Sequence, residues 1–156
     1  MILSDHLLFH TKSIISSDKH GFYPDRSVTT NLLCFTSDCI AHIENGKQVD
    51  AVYTDLKAAF DKIDHRILLE KLARMGVSDD LVKWLQSYLS DRSLSVKLGS
   101  CTSRRLTNTS GVPQGSNLGP LLFVLFINDV ASRLVRGCKL FYADDPKKFY
   151  GHRQIC

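Results

Sequence analysis

Two short apolar stretches that each end in aspartate constrain this chain more than any other feature. VDAVYTD (Val49 to Asp55) and Lys139 to Ala143, which leads into Asp144 and Asp145, are rich in β-branched and aromatic residues and read as strands. The sequence between and before them has helical spacing. From Ser27 to about Asn45, Leu32, Leu33, Cys39, Ile40 and Ile43 recur near that period, with Ser27 as N-cap and Gly46 as the stop. His65 to Met75, ended by Gly76, reads as a second helix, and Ser78 caps a third, DDLVKWLQSYL, in which Leu81, Leu85 and Leu89 share a face. If the two strands are neighbours in a sheet, Asp55 meets Asp144 and Asp145 at its rim.

The rest of the chain fits the same architecture. Strands are expected at Leu94 to Leu98 and Arg104 to Thr109, then a glycine- and proline-rich loop from Gly111 to Pro120, then one helix from about Leu121 to Leu134. No repeat, low-complexity stretch or linker divides these elements, so the fold class is α/β (α+β) in one unit. A length of 156 residues suffices for one core but not for a large multi-domain enzyme. The most apolar run, Leu121 to Ile127, is far shorter than the ~20 residues that span a bilayer. No membrane partner is expected. Net charge is +4, which permits phosphate contacts without demanding them. Cys34, Cys39, Cys101, Cys138 and Cys156 form no CxxC pair, and reduced thiols in an intracellular protein, nuclear or cytoplasmic, are the expectation.

Carboxylates at the end of a rigid sheet can serve chemistry. Brought close together they repel, so one must hold a proton or a cation must lie between them. Hard oxygen ligands favour Mg²⁺, which keeps waters and takes further ligands from substrate phosphates. The competing reading is local: Asp is common in turns and caps.

Four segments decide between the readings. GFYPDRSVTTNL (Gly21 to Leu32), YTDLKAAFDKIDH (Tyr53 to His65), SGVPQGSNLGPLLFVLFINDV (Ser110 to Val130) and FYADD (Phe141 to Asp145) together resemble the reverse transcriptases of non-LTR, LINE-type retrotransposons, most like the jockey group. The resemblance implies a reverse-transcriptase palm with part of the fingers, thumb absent. It would divide the chain into partial fingers and fingers-to-palm helices (1–48), the palm (49–146) and a divergent tail (147–156). It implies RNA-directed DNA polymerase activity with Mg²⁺ or Mn²⁺, deoxynucleoside triphosphates, an RNA template and a DNA primer. Asp55, Asp144 and Asp145 would be the catalytic, metal-binding acids, and the backbone carbonyl of Leu56 a further metal ligand. Phe60 would be the aromatic gate that crowds a ribonucleotide 2′-hydroxyl, its alternative being core packing. Pro113, Gln114, Gly115 and Tyr142 would contact the nucleotide, with Ser116 shaping the same wall. Arg26, from the family's RS pair, could touch template or nucleotide phosphate or form a salt bridge. Lys97, Arg104 and Arg105 could follow a nucleic-acid backbone or simply be solvated. Asp61, Asp64 and His65 read as helix-start caps and surface contacts.

Some positions depart from the family pattern. Asp25 replaces the usual glycine, where the backbone needs a left-handed turn. Pro146 directly follows the paired aspartates, where the family places a return strand, and KKFYGHRQIC has little β-pattern. These features predict that the strand pattern stops at Asp145, as in a truncated or frameshifted copy. The chain also begins just before the GFYPDRS segment and ends soon after FYADD, which predicts little primer extension by the chain alone. The rival function is a non-catalytic remnant that at most binds nucleic acid.

Overall fold

The computed structural model describes residues 2–133 and 138–153. The elements are α1 (Ile2–Thr11), α2 (Val28–Glu44), β1 (Lys47–Tyr53), α3 (His65–Arg74), α4 (Asp79–Leu89), β2 (Arg92–Leu94), β3 (Lys97–Leu98), β4 (Cys101–Thr102), β5 (Leu106–Asn108), α5 (Gly119–Phe126), α6 (Asn128–Arg133), β6 (Cys138–Tyr142) and β7 (Asp145–Arg153). This mixture of helices and strands is the expected α+β class. The chain packs as two compact units: residues 1–12 with 58–126, and residues 13–57 with 127–156.

In the first unit, α3 packs on α4 and α5. Its core is built from Leu7, Ile63, Leu68, Leu72, Leu85, Leu89 and the run Leu121 to Leu125. Asp64 starts α3 by accepting the amide of Ile67 at 2.9 Å, and Gly76 ends the turn after it at φ +81°. The expected strand pair after Ser90 is present in two short pieces, β2 with β5 and β3 with β4, all antiparallel. Helix α1 has no counterpart in the sequence expectations. It buries only Leu7 and Thr11, so no apolar period announces it.

The single helix expected from Leu121 is interrupted after Phe126, and its expected end, Leu134, lies outside the described residues. Side-chain ammonium groups take the carbonyls at the break: Lys71 Nζ donates to Phe126 O at 2.5 Å, and Lys19 Nζ to Ile127 O at 3.2 Å.

The second unit centres on a three-stranded sheet in the order β1-β7-β6, with α2 packed on it. Ser27 and Thr30 form a capping box at the start of α2, as the sequence implies. Four of the five apolar residues that revealed this helix, Leu32, Leu33, Ile40 and Ile43, are exposed, Leu33 at 62% and Ile43 at 64%, Cys39 is half-buried, and the helix's buried residue is Asn31.

The largest correction concerns the tail. Lys147 to Arg153 belongs to the central strand β7, paired with β1 from Tyr53↔Lys147 to Lys47↔Arg153 and with β6 from Tyr142↔Asp145 to Cys138↔Phe149. Pro146 is tolerated for a reason that pairing geometry supplies. Phe141, its partner, directs both backbone groups to the other side: its N–H donates to Asp18 O (2.9 Å) and its carbonyl accepts from His20 N–H (2.8 Å). The Phe141↔Pro146 pair is therefore a non-hydrogen-bonded one and requires no donor from proline. On the β1 side, Thr54 N–H donates to Pro146 O at 3.1 Å, and the return bond is the one proline cannot make. The ladder ends there. Phe149 is fully buried and meets Phe35 of α2 edge-on at 5.1 Å, and a Cβ at Gly151 would collide with the His42 ring, so the tail is fitted to the helix over it.

Candidate active site

Strands β1 and β6 both run antiparallel to β7, so they are parallel to each other and finish at the same end of the sheet. The sequence suggested that they could be direct neighbours. Instead β7 separates them by two strand spacings, about 10 Å. Asp55 follows the end of β1, Asp145 opens β7, and Asp144 lies in the two-residue turn between Tyr142 and Asp145. The Thr54 amide and hydroxyl both bind Pro146 O at 3.1 Å, which fixes the chain one residue before Asp55 to the chain one residue after Asp145. Asp55 and Asp145 are exposed and Asp144 is half-buried. Leu56 continues the exposed loop after Asp55.

No group of three or more His, Cys, Asp or Glu side chains among the described residues is placed to hold a metal ion. The donor set still fits a hard cation of the Mg²⁺ type, which needs one or two protein carboxylates and completes its octahedron with water and phosphate.

The turn itself is held from behind. Ala143 has φ +53°, a left-handed conformation that glycine usually supplies in a two-residue hairpin turn. Gly21 packs directly against it: a Cβ there would overlap the Ala143 nitrogen and lie 2.6 Å from its Cα. The GFYPDRS segment thus begins with a residue that must be small because it touches the aspartate turn. Sequence reading missed this, although the glycine at the head of the motif was its signal. Asp25 has φ +61°, the left-handed conformation expected where the family carries glycine.

Arg26 does not form a salt bridge within the described residues. Its Nη1 donates to Ser16 O (3.2 Å), Ser17 O (2.9 Å) and Lys19 O, and its guanidinium lies 4.6 Å from the Tyr23 ring centre. Lys19 is a buried cation, 2% exposed, with Nζ 3.7 Å from the Phe141 ring centre. Burial lowers its ammonium from the ordinary 10.5 to about 8, while Asp129 and Asp18 pull it back upward.

The other expected nucleotide contacts lie in the first unit. Phe60 is half-buried and stacks on Phe123 at 4.3 Å between ring centres. Gln114 is exposed and its Nε2 donates to Asp61 Oδ1 at 3.0 Å. Pro113 O accepts the Ser116 hydroxyl at 2.7 Å, and Ser116 Oγ accepts the Gly119 amide at 3.0 Å, starting α5. Gly115 has φ +75° and Gly111 φ +81°. The loop is tied to the turn after Ala58 by Gly111 N–H to Ile63 O (2.8 Å), Val112 N–H to Phe60 O (3.0 Å), Ser110 Oγ to Asp61 O (2.8 Å), and a 2.6 Å contact of His65 Nε2 with Gly111 O. Of the expected caps, Asp64 caps α3, whereas Asp61 and His65 hold this loop. Lys97, Arg104 and Arg105 are exposed on and beside β3 to β5. Cys34, Cys39, Cys101 and Cys138 are free thiols. No helix among the described residues is long and apolar enough to cross a membrane.

The sequence profile of the family "Reverse transcriptase (RNA-dependent DNA polymerase)" matches residues 1–149, so this chain belongs to that family. Several of the proteins it is similar to are named as RNA-directed DNA polymerases of transposons or mobile elements. It is 28% identical over 88% of its length to the probable RNA-directed DNA polymerase from transposon BS of Drosophila melanogaster, covering 14% of that protein. To the RNA-directed DNA polymerase from mobile element jockey of Drosophila funebris it is 34% identical over 66% of its length, covering 12%. To the retrovirus-related Pol polyprotein from type-1 retrotransposable element R2 of Popillia japonica the values are 28%, 57% and 15%. The chain therefore spans about a seventh of the relatives it matches.

Proposed function

We propose that this chain carries the metal-binding palm of an RNA-directed DNA polymerase that extends a DNA primer on an RNA template with deoxynucleoside triphosphates. The observation that carries the reading is the shared sheet end of Asp55, Asp144 and Asp145, in a chain whose family match runs through all three. Asp55 and Asp144 are the proposed principal ligands of Mg²⁺ or Mn²⁺, with Asp145 and the Leu56 carbonyl as supplementary donors. Bound divalent ions make a primer hydroxyl more acidic and neutralise triphosphate charge. The residues' own contribution is to present fixed negative charge from a rigid sheet, so that little reorganisation is needed when the substrate arrives. Tyr142, on the last pair of the hairpin, is proposed to face the nucleotide. In the other unit, Phe60, Pro113, Gln114 and Gly115 are proposed nucleotide contacts on the family pattern, and Lys97, Arg104 and Arg105 backbone contacts.

The test is binding, because it reads the site directly. Mn²⁺ titrated into the chain and followed by electron paramagnetic resonance should bind, bind more tightly with dTTP present, and lose most of its affinity in Asp55→Asn and in Asp144→Asn. Binding that survives both substitutions, or no binding even with dTTP, would falsify the assignment.

A further inference from the structure

The segment from Ser16 to Gly21 forms a strap along the free side of β6. Its backbone exchanges two hydrogen bonds with Phe141, from His20 N–H to Phe141 O (2.8 Å) and from Phe141 N–H to Asp18 O (2.9 Å), with Lys19 bridged in parallel to Phe141. Lys19 pins the middle of the strap to Ile127 O and covers the Phe141 ring. Gly21, at its end, fits against the backbone of Ala143, which leaves the turn bearing Asp144 no room to move toward the strap. Local bonds from Lys19 N–H to Ser16 O and from Asp18 N–H to Ser16 Oγ, and one from Ser16 N–H to Asn128 Oδ1, help to fold the strap, and Arg26 gathers it, since three of the strap's carbonyls, from Ser16, Ser17 and Lys19, converge on one guanidinium nitrogen. One turn further along, buried Asn31 reaches the same hairpin: Nδ2 to Phe141 O at 3.5 Å, and Oδ1 accepting from Lys147 Nζ at 3.3 Å.

We infer that Arg26 is a positioning residue for the aspartate hairpin, acting through the Ser16–Gly21 strap. The three carbonyls share the two N–H groups of Nη1, and the planar guanidinium also lies against the Tyr23 ring, a reach and a flat face that an ammonium does not combine. The Ser16 and Lys19 carbonyls are part-buried and carry a desolvation cost when deprived of their donor, whereas the exposed Ser17 carbonyl turns to water, so removing the guanidinium loosens the strap at two points together. The same contacts argue against a phosphate as its principal partner.

The experiment is residue-resolved hydrogen exchange by NMR on the 156-residue chain without metal or nucleotide, comparing the parent with Arg26→Gln and Arg26→Lys. In Arg26→Gln the amides of His20 and Phe141 are expected to exchange roughly tenfold faster or more, while those of the β1·β7 ladder stay protected. Arg26→Lys should fall between, because its ammonium keeps three N–H donors but sits on a shorter side chain without the planar face that lies on Tyr23. If Arg26→Gln strips protection from the whole sheet, the lysine variant decides: faster exchange at the two amides supports the inference and unchanged exchange defeats it. Unchanged exchange in Arg26→Gln together with a loss of dTTP affinity would overturn it in favour of a phosphate ligand. The consequence for chemistry rests on the proposed metal role of Asp144 and is read separately, as a several-fold weaker Mn²⁺ affinity in Arg26→Gln. If Asp144→Asn itself leaves Mn²⁺ affinity unchanged, the metal reading fails while the exchange result still judges the strap.

Discussion

Each unit contains a turn that a glycine from a distant segment approaches closely, and the two are built differently. In the first unit, Gly111 does two jobs of its own beside a turn that already has a left-handed alanine, Ala58 at φ +54°: its φ of +81° is left-handed, and a Cβ would lie 2.7 Å from Asp61 Cα and 2.8 Å from Phe60 O. In the second, the jobs are divided, with Ala143 adopting the left-handed turn and Gly21 providing the space beside it. The supports differ as well. Backbone hydrogen bonds and the side chains of Ser110, Asp61 and His65 hold the Gly111 loop, whereas the cations Lys19 and Arg26 hold the strap at Gly21. A glycine that is both left-handed and closely packed fails on both counts when it is replaced. A divided turn can be perturbed in either requirement alone.

Gly111→Ala should therefore have the largest effect. Left-handed strain and a collision with backbone that cannot yield add up to about 4 kcal/mol, at the upper end of single substitutions. Urea unfolding followed by Trp84 fluorescence, which reports on α4 in the same unit, measures it. A loss below about 1 kcal/mol would mean that the loop re-forms away from the Phe60–Asp61 backbone. Gly21→Ala meets only the steric requirement and should cost about 3 kcal/mol, since Ala143 or the strap must move. Amide exchange in β6 and β7 should report that loss. If Gly21→Ala proves as harmful as Gly111→Ala, the division of tasks at the hairpin is not what distinguishes the two turns.

How much of this was legible in the sequence follows from how local each determinant is. Helices α2 and α3 were legible because Ser27, Gly46 and Gly76 act within a turn of the helix they bound. The aspartates were legible from their place after strand-like runs and from the motifs around them. The strand between them was not. Pro146 and two lysines conceal β7, and its acceptability depends on which face of Phe141 carries hydrogen bonds, a property of pairing across the sheet. Helix α1 escaped because two buried residues make no period, and the roles of Arg26 and Lys19 because a buried cation is explained only by the carbonyls and ring that surround it.

The cationic support also gives the second unit a pH signature. Lys19 titrates near 8 when folded against 10.5 when unfolded, so between those values the unfolded chain binds more protons and stability rises with pH. Below pH 8 the native state bears the cost of a buried charge, worth about 3 kcal/mol by the size of the shift and less once relaxation is allowed. Lys19→Met should therefore be about 1–2 kcal/mol more stable than the parent at pH 7. Its advantage should shrink steadily from pH 8 to 10.5. Urea midpoints across that range test this, and an advantage that grows with pH would show that the contacts with Ile127 O and Phe141 outweigh desolvation.

The smallest effect expected isolates the conformational half of the divided turn. Ala143→Gly relieves a left-handed alanine, a gain of about 1 kcal/mol, against which stand the lost methyl contact with Gly21 and the greater freedom of glycine in the unfolded chain. The net should be stabilising by a few tenths of a kcal/mol, visible as a small rise in the midpoint of β6–β7 unfolding. Adding Gly21→Ala to it should recover part of the glycine's loss, because a turn without the Ala143 Cβ can yield toward the hairpin, and contacting residues do not act additively. The same pair of changes in strict additivity would mean that the collision lies wholly with the Ala143 backbone. In that case the aspartate turn is fixed by main chain alone, and its side chain could be varied freely without moving Asp144.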